Sequence, residues 1–134
     1  MYMPDNAVKK ILIADDEPTL VSTLKYNLER EGYSVVIATD GEAAVGVARE
    51  SHPDLIVLDI MMPRLNGLEV CRILRREMQV PIVILSARGD GRDRAAGVEA
   101  GADDYVTKPF SMAELIARIR LLLRRRESAP LNHE

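Results

Sequence analysis

The chain has one cysteine in 134 residues, Cys71, so neither an internal disulfide nor a thiolate zinc site is open to it. An excess of either charge is also missing. Eighteen Lys and Arg against 21 Asp and Glu leave a formal net charge of -3, which excludes a chain built around polyanion binding. No apolar run approaches the roughly 20 residues that cross a bilayer; the longest, Val80 to Leu85, even includes Pro81. Residues 1–8 carry Pro4, Asp5 and Asn6 and lack the basic and apolar stretches of a signal peptide. They read as a disordered lead-in. These absences predict a cytoplasmic domain in a reducing setting, with no membrane partner.

Several catalytic signatures are absent too. There is no Gly-x-Ser-x-Gly elbow, which argues against a serine hydrolase. Gly89-x-Gly91 lacks the third glycine and the lysine of nucleotide-binding loops. His52, before Pro53, and His133, near the end, have no metal-ligating neighbour in sequence. Arg124, Arg125 and Arg126 close a helical pattern, where cations complement the helix dipole, and read as a solvated end rather than a nucleic-acid contact.

What is present is a regular alternation. Five short apolar runs, Ile11–Ala14, Ser34–Ala38, Leu55–Leu58, Val80–Leu85 and Tyr105–Thr107, are separated by longer amphipathic segments. Three runs are nearly continuous in Ile, Leu and Val, as in parallel strands covered on both faces. Ser34–Ala38 and Tyr105–Thr107 are weaker and suit sheet edges. Between the runs, Pro18 opens a helix with Leu20, Leu24 and Leu28 at one-turn spacing. Thr39 and Glu42 read as a capping box before Ala44, Val47 and Ala48. Asn66-Gly67 turns the chain into Leu68, Cys71 and Leu74, with Cys71 on the core side. Ser111 and Glu114 form a second box, ahead of a stripe of Met112, Leu115, Ile116, Ile119, Leu122 and Leu123. Five strand–helix units with right-handed crossovers predict a doubly wound α/β sandwich. The segment after Ser86 is the weak one: Gly89, Gly91 and Gly97 interrupt a stretch whose apolar residues are mostly alanine. Moving parts are drawn from such weak elements.

Polar residues gather where the apolar runs end. Asp15 and Asp16 follow the first, Asp59 the third, Ser86 the fourth and Lys108 the fifth. Taken singly, each has an ordinary explanation: a helix cap, a turn residue, a loop hydroxyl, a solvated lysine. Taken together they lie at the carboxyl edge of one sheet, where open α/β folds bind ligands. Three converging carboxylates repel one another unless a cation joins them, and a hard divalent ion with oxygen ligands, Mg2+ foremost, answers that need. With Ser86 and Lys108 beside it, Asp59 is placed to attack a phosphoryl group as a carboxylate nucleophile.

Asp15-Asp16, Leu58-Asp59 with Met62-Pro63 and Gly67, Ser86-Ala87 and Lys108-Pro109-Phe110 together closely resemble the response regulator receiver domains of bacterial two-component systems. The resemblance covers about residues 9–126. Gly101-Ala102-Asp103-Asp104-Tyr105 and Glu114-Leu115-x-x-Arg118 look like the OmpR/PhoB subfamily. It implies a CheY-like, flavodoxin-like (βα)5 fold with a parallel sheet of order 2-1-3-4-5. It further implies that Asp59 is the phosphoacceptor, fed by a cognate sensor histidine kinase. Asp16, Asp59 and the backbone carbonyl of Met61 would ligate Mg2+, for which Mn2+ is a possible substitute, and Asp15 would act through water. Ser86 and Tyr105 would be the switch pair, Lys108 would meet the phosphoryl group, and the Lys108–Pro109 bond would be cis. Modest self-catalysed phosphotransfer is implied, not a turnover enzyme.

On phosphorylation the subfamily forms a homodimer through the face of the fourth helix, fifth strand and fifth helix. The matching pairs are Asp104 with Arg118 and Arg94 with Glu114, across the dimer. Glu114 and Arg118 are also spaced to pair on one helix. Arg92 stands where the subfamily has an acidic residue, so a third bridge near Arg125 is not expected to form in the usual way. Met61, large and apolar, is expected to shield the acyl phosphate from water. Two other functions stay open on the residues alone. A Mg2+-dependent phosphohydrolase would want a second acid at position 61, which Met61 does not supply; a phosphorylation-independent scaffold would not need the intact acidic, hydroxyl and lysine positions. Residues 127–134 read as a tail or the start of an interdomain linker. That favours a truncated transcription regulator whose contact with DNA is made only by an effector domain absent from this chain.

Overall fold

A computed structural model describes residues 7–87 and 91–128. Residues 1–6 of the expected lead-in, 129–134 of the expected tail, and Gly89 lie outside the described residues. Ten elements alternate strictly: β1 Lys10–Ala14, α1 Pro18–Arg30, β2 Ser34–Ala38, α2 Gly41–Ser51, β3 Leu55–Asp59, α3 Gly67–Glu77, β4 Ile82–Ser86, α4 Gly91–Ala100, β5 Asp104–Thr107 and α5 Met112–Ser128. The strands form one parallel sheet in the order β2-β1-β3-β4-β5. The two weaker apolar runs are therefore the two edges.

The alternation of side chains along each strand divides the core in two. Leu12, Ile56, Leu58, Ile82 and Ile84 point to one face and pack with Ala44, Ala48, Val70, Cys71, Leu74 and Ala100, from α2, α3 and α4. Ile11, Ile13, Leu55, Val57, Val83 and Leu85 point to the other and pack with Leu24, Leu28, Leu115, Ile119 and Leu123, from α1 and α5. Both β3 and β4 are buried along their whole length, which is why their sequences show no polar alternation. Cys71 is fully buried, its thiol donates to the Ala100 carbonyl, and burial pushes its pKa up. It is a core residue.

Helix starts follow side-chain chemistry, with one correction. Pro18 occupies the first turn of α1, and Asn66 caps α3 by accepting the Glu69 N–H at 3.0 Å. The Glu114 N–H reaches the Ser111 hydroxyl at 3.2 Å. For α2, however, the cap is Asp40 and not Thr39: the Asp40 carboxylate accepts the Ala43 N–H at 2.8 Å. A carboxylate one residue later both satisfies the orphan donor and complements the positive end of the helix. At the far end α5 runs through Glu127 and Ser128, two residues past the expected boundary. Glu127 pairs there with Lys9 at 2.9 Å, and Arg126 donates to the Asp54 carbonyl. Of the described side chains in α4, only Gly97 and Ala100 are buried, so this helix is held by little apolar area. Among the described residues no helix is long and apolar enough to cross a membrane.

Candidate functional site

The strand order reverses direction at β1, which is flanked by β2 on one side and β3 on the other. The reversal opens a crevice at the carboxyl ends of β1 and β3. Asp15 and Asp16 leave β1 directly into it, and Asp59 is the last residue of β3. Their carboxylates each offer an oxygen, and these oxygens all lie within 4.8 Å of one another. Asp15 and Asp59 are buried, at 1% and 4% exposure, while Asp16 is exposed.

Each acid is fixed locally. Asp15 accepts the Glu17 N–H at 2.9 Å through Oδ1, which turns its other oxygen towards the crevice. Asp59 accepts the Met61 N–H at 3.2 Å. Lys108 enters from the loop after β5; its Nζ stands 3.5 Å from Asp15 Oδ2 and 3.6 Å from Asp59 Oδ2. The Lys108 N–H donates to the Ser86 carbonyl at 2.7 Å, which ties this loop to the end of β4. The Lys108–Pro109 peptide is cis. Ser86 ends β4 and is buried at 1% exposure. The five residues singled out from sequence thus share one edge of the sheet.

The electrostatics are unbalanced. Burial, and then the neighbouring Asp15 charge, push the Asp59 carboxyl above the usual carboxylate range; Lys108 and the Met61 N–H offset this in part. Among the described residues, three acids, two of them buried, face one ammonium, which leaves negative charge uncompensated there. All the side-chain donors are hard oxygens, two of them held rigid. The residues therefore fit a divalent cation that takes oxygen ligands. A cleft of about 560 Å³ lies alongside, lined by Asp16, Ile60, Met61, Met62, Pro63, Asn66 and Leu68. Met61 stands at its rim, 64% exposed.

The remaining expected residues lie next door. Tyr105, on β5, is buried at 5% exposure; the Arg94 guanidinium lies 4.9 Å from its ring centre and donates to the Tyr105 carbonyl at 3.3 Å. Arg118 on α5 pairs with both Asp104 oxygens at 2.8 and 2.9 Å and with Glu114 at 3.0 Å, all within one chain. The Arg92 and Arg94 side chains are exposed on α4. Two residues near the site were not singled out from the sequence: Asp40, the α2 cap, and Gly41, whose amide donates to the Pro63 carbonyl in the loop after Asp59. The Asp-Gly dipeptide, one residue removed from the end of β2, is the available signal for this turn.

The comparisons with known proteins agree with this geometry. The family described as the response regulator receiver domain matches residues 11–120. The chain is 51% identical over 127 residues to the alkaline phosphatase synthesis transcriptional regulatory protein PhoP of Bacillus subtilis, covering 94% of this chain and 53% of that protein. It thus spans about half the length of that curated relative. Among solved structures, the BeF3-activated N-terminal receiver domain of Klebsiella pneumoniae RstA superposes with a TM-score of 0.84 at 36% identity, covering 87% of this chain and 99% of that one. A receiver domain of a sensor histidine kinase from Pseudomonas aeruginosa PAO1, with a magnesium ion coordinated in its active site cleft, gives 0.81 at 32% identity over 88% and 99% of the two chains.

Proposed function

Because the chain belongs to the response regulator receiver domain family, we propose that it is switched by a phosphoryl group taken onto Asp59 from a cognate sensor histidine kinase. The observation that carries this reading is the Asp15, Asp16 and Asp59 cluster with Lys108 reaching two of its members. Mg2+, or Mn2+ in its place, would be held by Asp16, Asp59 and the Met61 carbonyl, with Asp15 acting through water. When bound, the cation supplies positive charge that offsets the carboxylates and the phosphoryl oxygens.

The chain's own groups do the rest. An Asp59 carboxylate oxygen forms a bond to phosphorus as the phosphorus–nitrogen bond of the donor phosphohistidine breaks, and the electron pair leaves on the imidazole nitrogen. The product is a mixed carboxylic–phosphoric anhydride. Lys108 turns from the carboxylates to a phosphoryl oxygen, and the Ser86 hydroxyl donates to another; phosphoryl transfer is mostly such positioning and electrostatics. Water attack on phosphorus later breaks the phosphorus–oxygen bond, returning the carboxylate and free phosphate. The chain is thus a phosphoacceptor and not a turnover enzyme.

Ser86 shifting towards the phosphoryl group, with Tyr105 following, would re-set the surface of α4, β5 and α5. A few kcal/mol of bias between two surface states is enough for a switch. The altered face would form a homodimer with Asp104 to Arg118 and Arg94 to Glu114 across it. Arg118 already spans Asp104 and Glu114 within the chain. Glu114 is more than half exposed, and an exposed pair is worth about 0–1 kcal/mol, so exchanging it for a partner across an interface costs little; Asp104, half-buried and bound through both oxygens, holds Arg118 more firmly. The output is transcriptional, with DNA contacted by an effector domain outside this chain. The test is acetyl phosphate with Mg2+ followed by borohydride, which reduces an acyl phosphate of aspartate to homoserine. Homoserine at position 59 supports the reading; homoserine at another position, or at none, contradicts it.

A further inference from the structure

β1 and β3 pair directly as far as Ala14 and Leu58, which fixes the roots of the two loops that carry the acids; beyond those roots the loops need a further support. Residues 38–41 touch both. At one end, the Asp15 N–H donates to the Ala38 carbonyl at 3.0 Å. At the other, the Gly41 N–H donates to the Pro63 carbonyl at 3.2 Å, which also accepts the Leu65 N–H at 2.8 Å. Pro63 lies in the loop running on from Asp59, which is closed on itself where the Met62 and Gly67 N–H groups both donate to the Ile60 carbonyl. A Cβ on Gly41 would overlap the Leu65 carbonyl oxygen and stand 2.6 Å from its carbon. That obstacle is backbone, so no rotamer change relieves it; the loop itself would have to move. Charged groups tie the same junction. Asp40 caps α2 and faces Arg64 at 3.6 Å, and Glu42 lies 4.0 Å from Arg64, which is held at φ 73°.

We infer that the turn from Ala38 to Gly41 is a strut that seats the loop after Asp59, and with it the Met61 carbonyl, against the Asp15–Asp16 segment, with Gly41 as its positioning residue. This rests on the reading of the site given above. Gly41 touches neither cation nor phosphoryl group; it acts by letting the loop after Asp59 seat against the turn that also holds Asp15. Any side chain at position 41 pushes Leu65 and Pro63 away and carries the Met61 carbonyl out of register with Asp16.

The experiment is calorimetric titration of the whole chain with Mg2+, for the parent, Gly41→Ala, Asp40→Ala and Val45→Ala, with amide NMR shifts of Asp15 and Met61 recorded without metal. Val45 is a buried core residue of the same helix, so its truncation destabilises α2 without entering the turn. Groups that orient metal ligands typically account for about 10–100-fold in affinity, so Gly41→Ala is expected to weaken Mg2+ at least about tenfold. It should also shift both amides. Asp40→Ala should weaken Mg2+ less, and Val45→Ala should leave affinity and amides as in the parent. If Gly41→Ala does not fold, Asp40→Ala carries the comparison against Val45→Ala. Folded turn variants that bind Mg2+ like the parent, or a Val45→Ala loss as large as theirs, would overturn the inference and leave the proposed function standing. A parent chain that binds no Mg2+ would overturn both.

Discussion

Replacing Asp59 with asparagine is expected to stabilise the metal-free domain, although it removes the proposed phosphoacceptor. The Lys108 ammonium lies 3.6 Å from Asp59 Oδ2, and the buried Asp15 places an oxygen within 4.8 Å of Asp59. At an effective dielectric near 20, those separations correspond to about 4.6 kcal/mol of attraction and at least about 3.5 kcal/mol of repulsion. Asp16, being exposed, adds a smaller repulsion because solvent screens it. The Coulomb terms therefore nearly cancel. What remains is the cost of taking a carboxylate out of water, several kcal/mol for a fully buried ion. Asparagine keeps the shape and the acceptor for the Met61 N–H. We expect it to add about 1–3 kcal/mol at pH 7, a fraction of that desolvation cost.

The pH dependence has a definite sign. The folded-state pKa of Asp59 is raised, so its stabilising contribution is complete below the unfolded carboxylate value, about 3.9, and is lost as pH rises through the folded value. The advantage of asparagine should therefore vanish in acid and grow towards neutrality. Adding Mg2+ should close the gap from the other side, because a ligand at a hundred times its dissociation constant stabilises the parent by about 2.7 kcal/mol. Urea unfolding followed by far-ultraviolet circular dichroism, in chelator at pH 7 and at low pH, reads all of this. An asparagine variant no more stable than the parent in chelator at pH 7 would refute the reasoning.

Three further substitutions test other parts of the account. Gly67→Ala places a Cβ over the Asp59 carbonyl oxygen and 2.8 Å from the Ile60 Cα; since overpacking against fixed atoms costs about 1–3 kcal/mol or more, the urea midpoint should fall by at least that much, and an unchanged midpoint would sink the packing argument. Gly97→Ala brings a Cβ to 3.0 Å from the Tyr105 ring and 3.4 Å from Ile84; it should shift the Tyr105 ring resonances and forfeit the gain of about 1 kcal/mol that helix propensity alone promises, so a full gain with unmoved resonances would contradict it. Met61→Asn removes the exposed apolar side chain at the rim of the cleft and should shorten the life of the acyl phosphate, measured as loss of label after the donor is removed; a longer life would count against shielding.

Much of this was legible in the sequence because local and global signals agree. Buried parallel strands need uninterrupted apolar runs, so Leu55–Leu58 and Val80–Leu85 announced the sheet centre, and the weaker runs fell at the edges. The site was legible because topology places strand ends together: Asp15, Asp59, Ser86 and Lys108 each follow or end a strand. The α2 cap is ambiguous in sequence because Thr39 and Asp40 both have oxygens able to cap, and the backbone path decides for Asp40. The last turn of α5 is not legible locally, because non-local partners, Lys9 and Asp54, hold it. The same is true of Gly41 against Leu65 and Arg94 over Tyr105. Such contacts depend on how two loops or two elements approach, which no local pattern encodes. Even the double pairing of Arg118 was half visible: the helical spacing to Glu114 is local, whereas the reach to Asp104 depends on how α5 packs beside β5.

The most direct test of the central claim is the intact mass of the chain after incubation with acetyl phosphate, with Mg2+ or with chelator, for the parent and for Asp59→Asn. The account predicts a single phosphoryl adduct on the parent, absent in chelator and absent in the variant. An adduct that forms without divalent cation, or persists on Asp59→Asn, or fails to form on the parent while another receiver domain is labelled alongside, would contradict it.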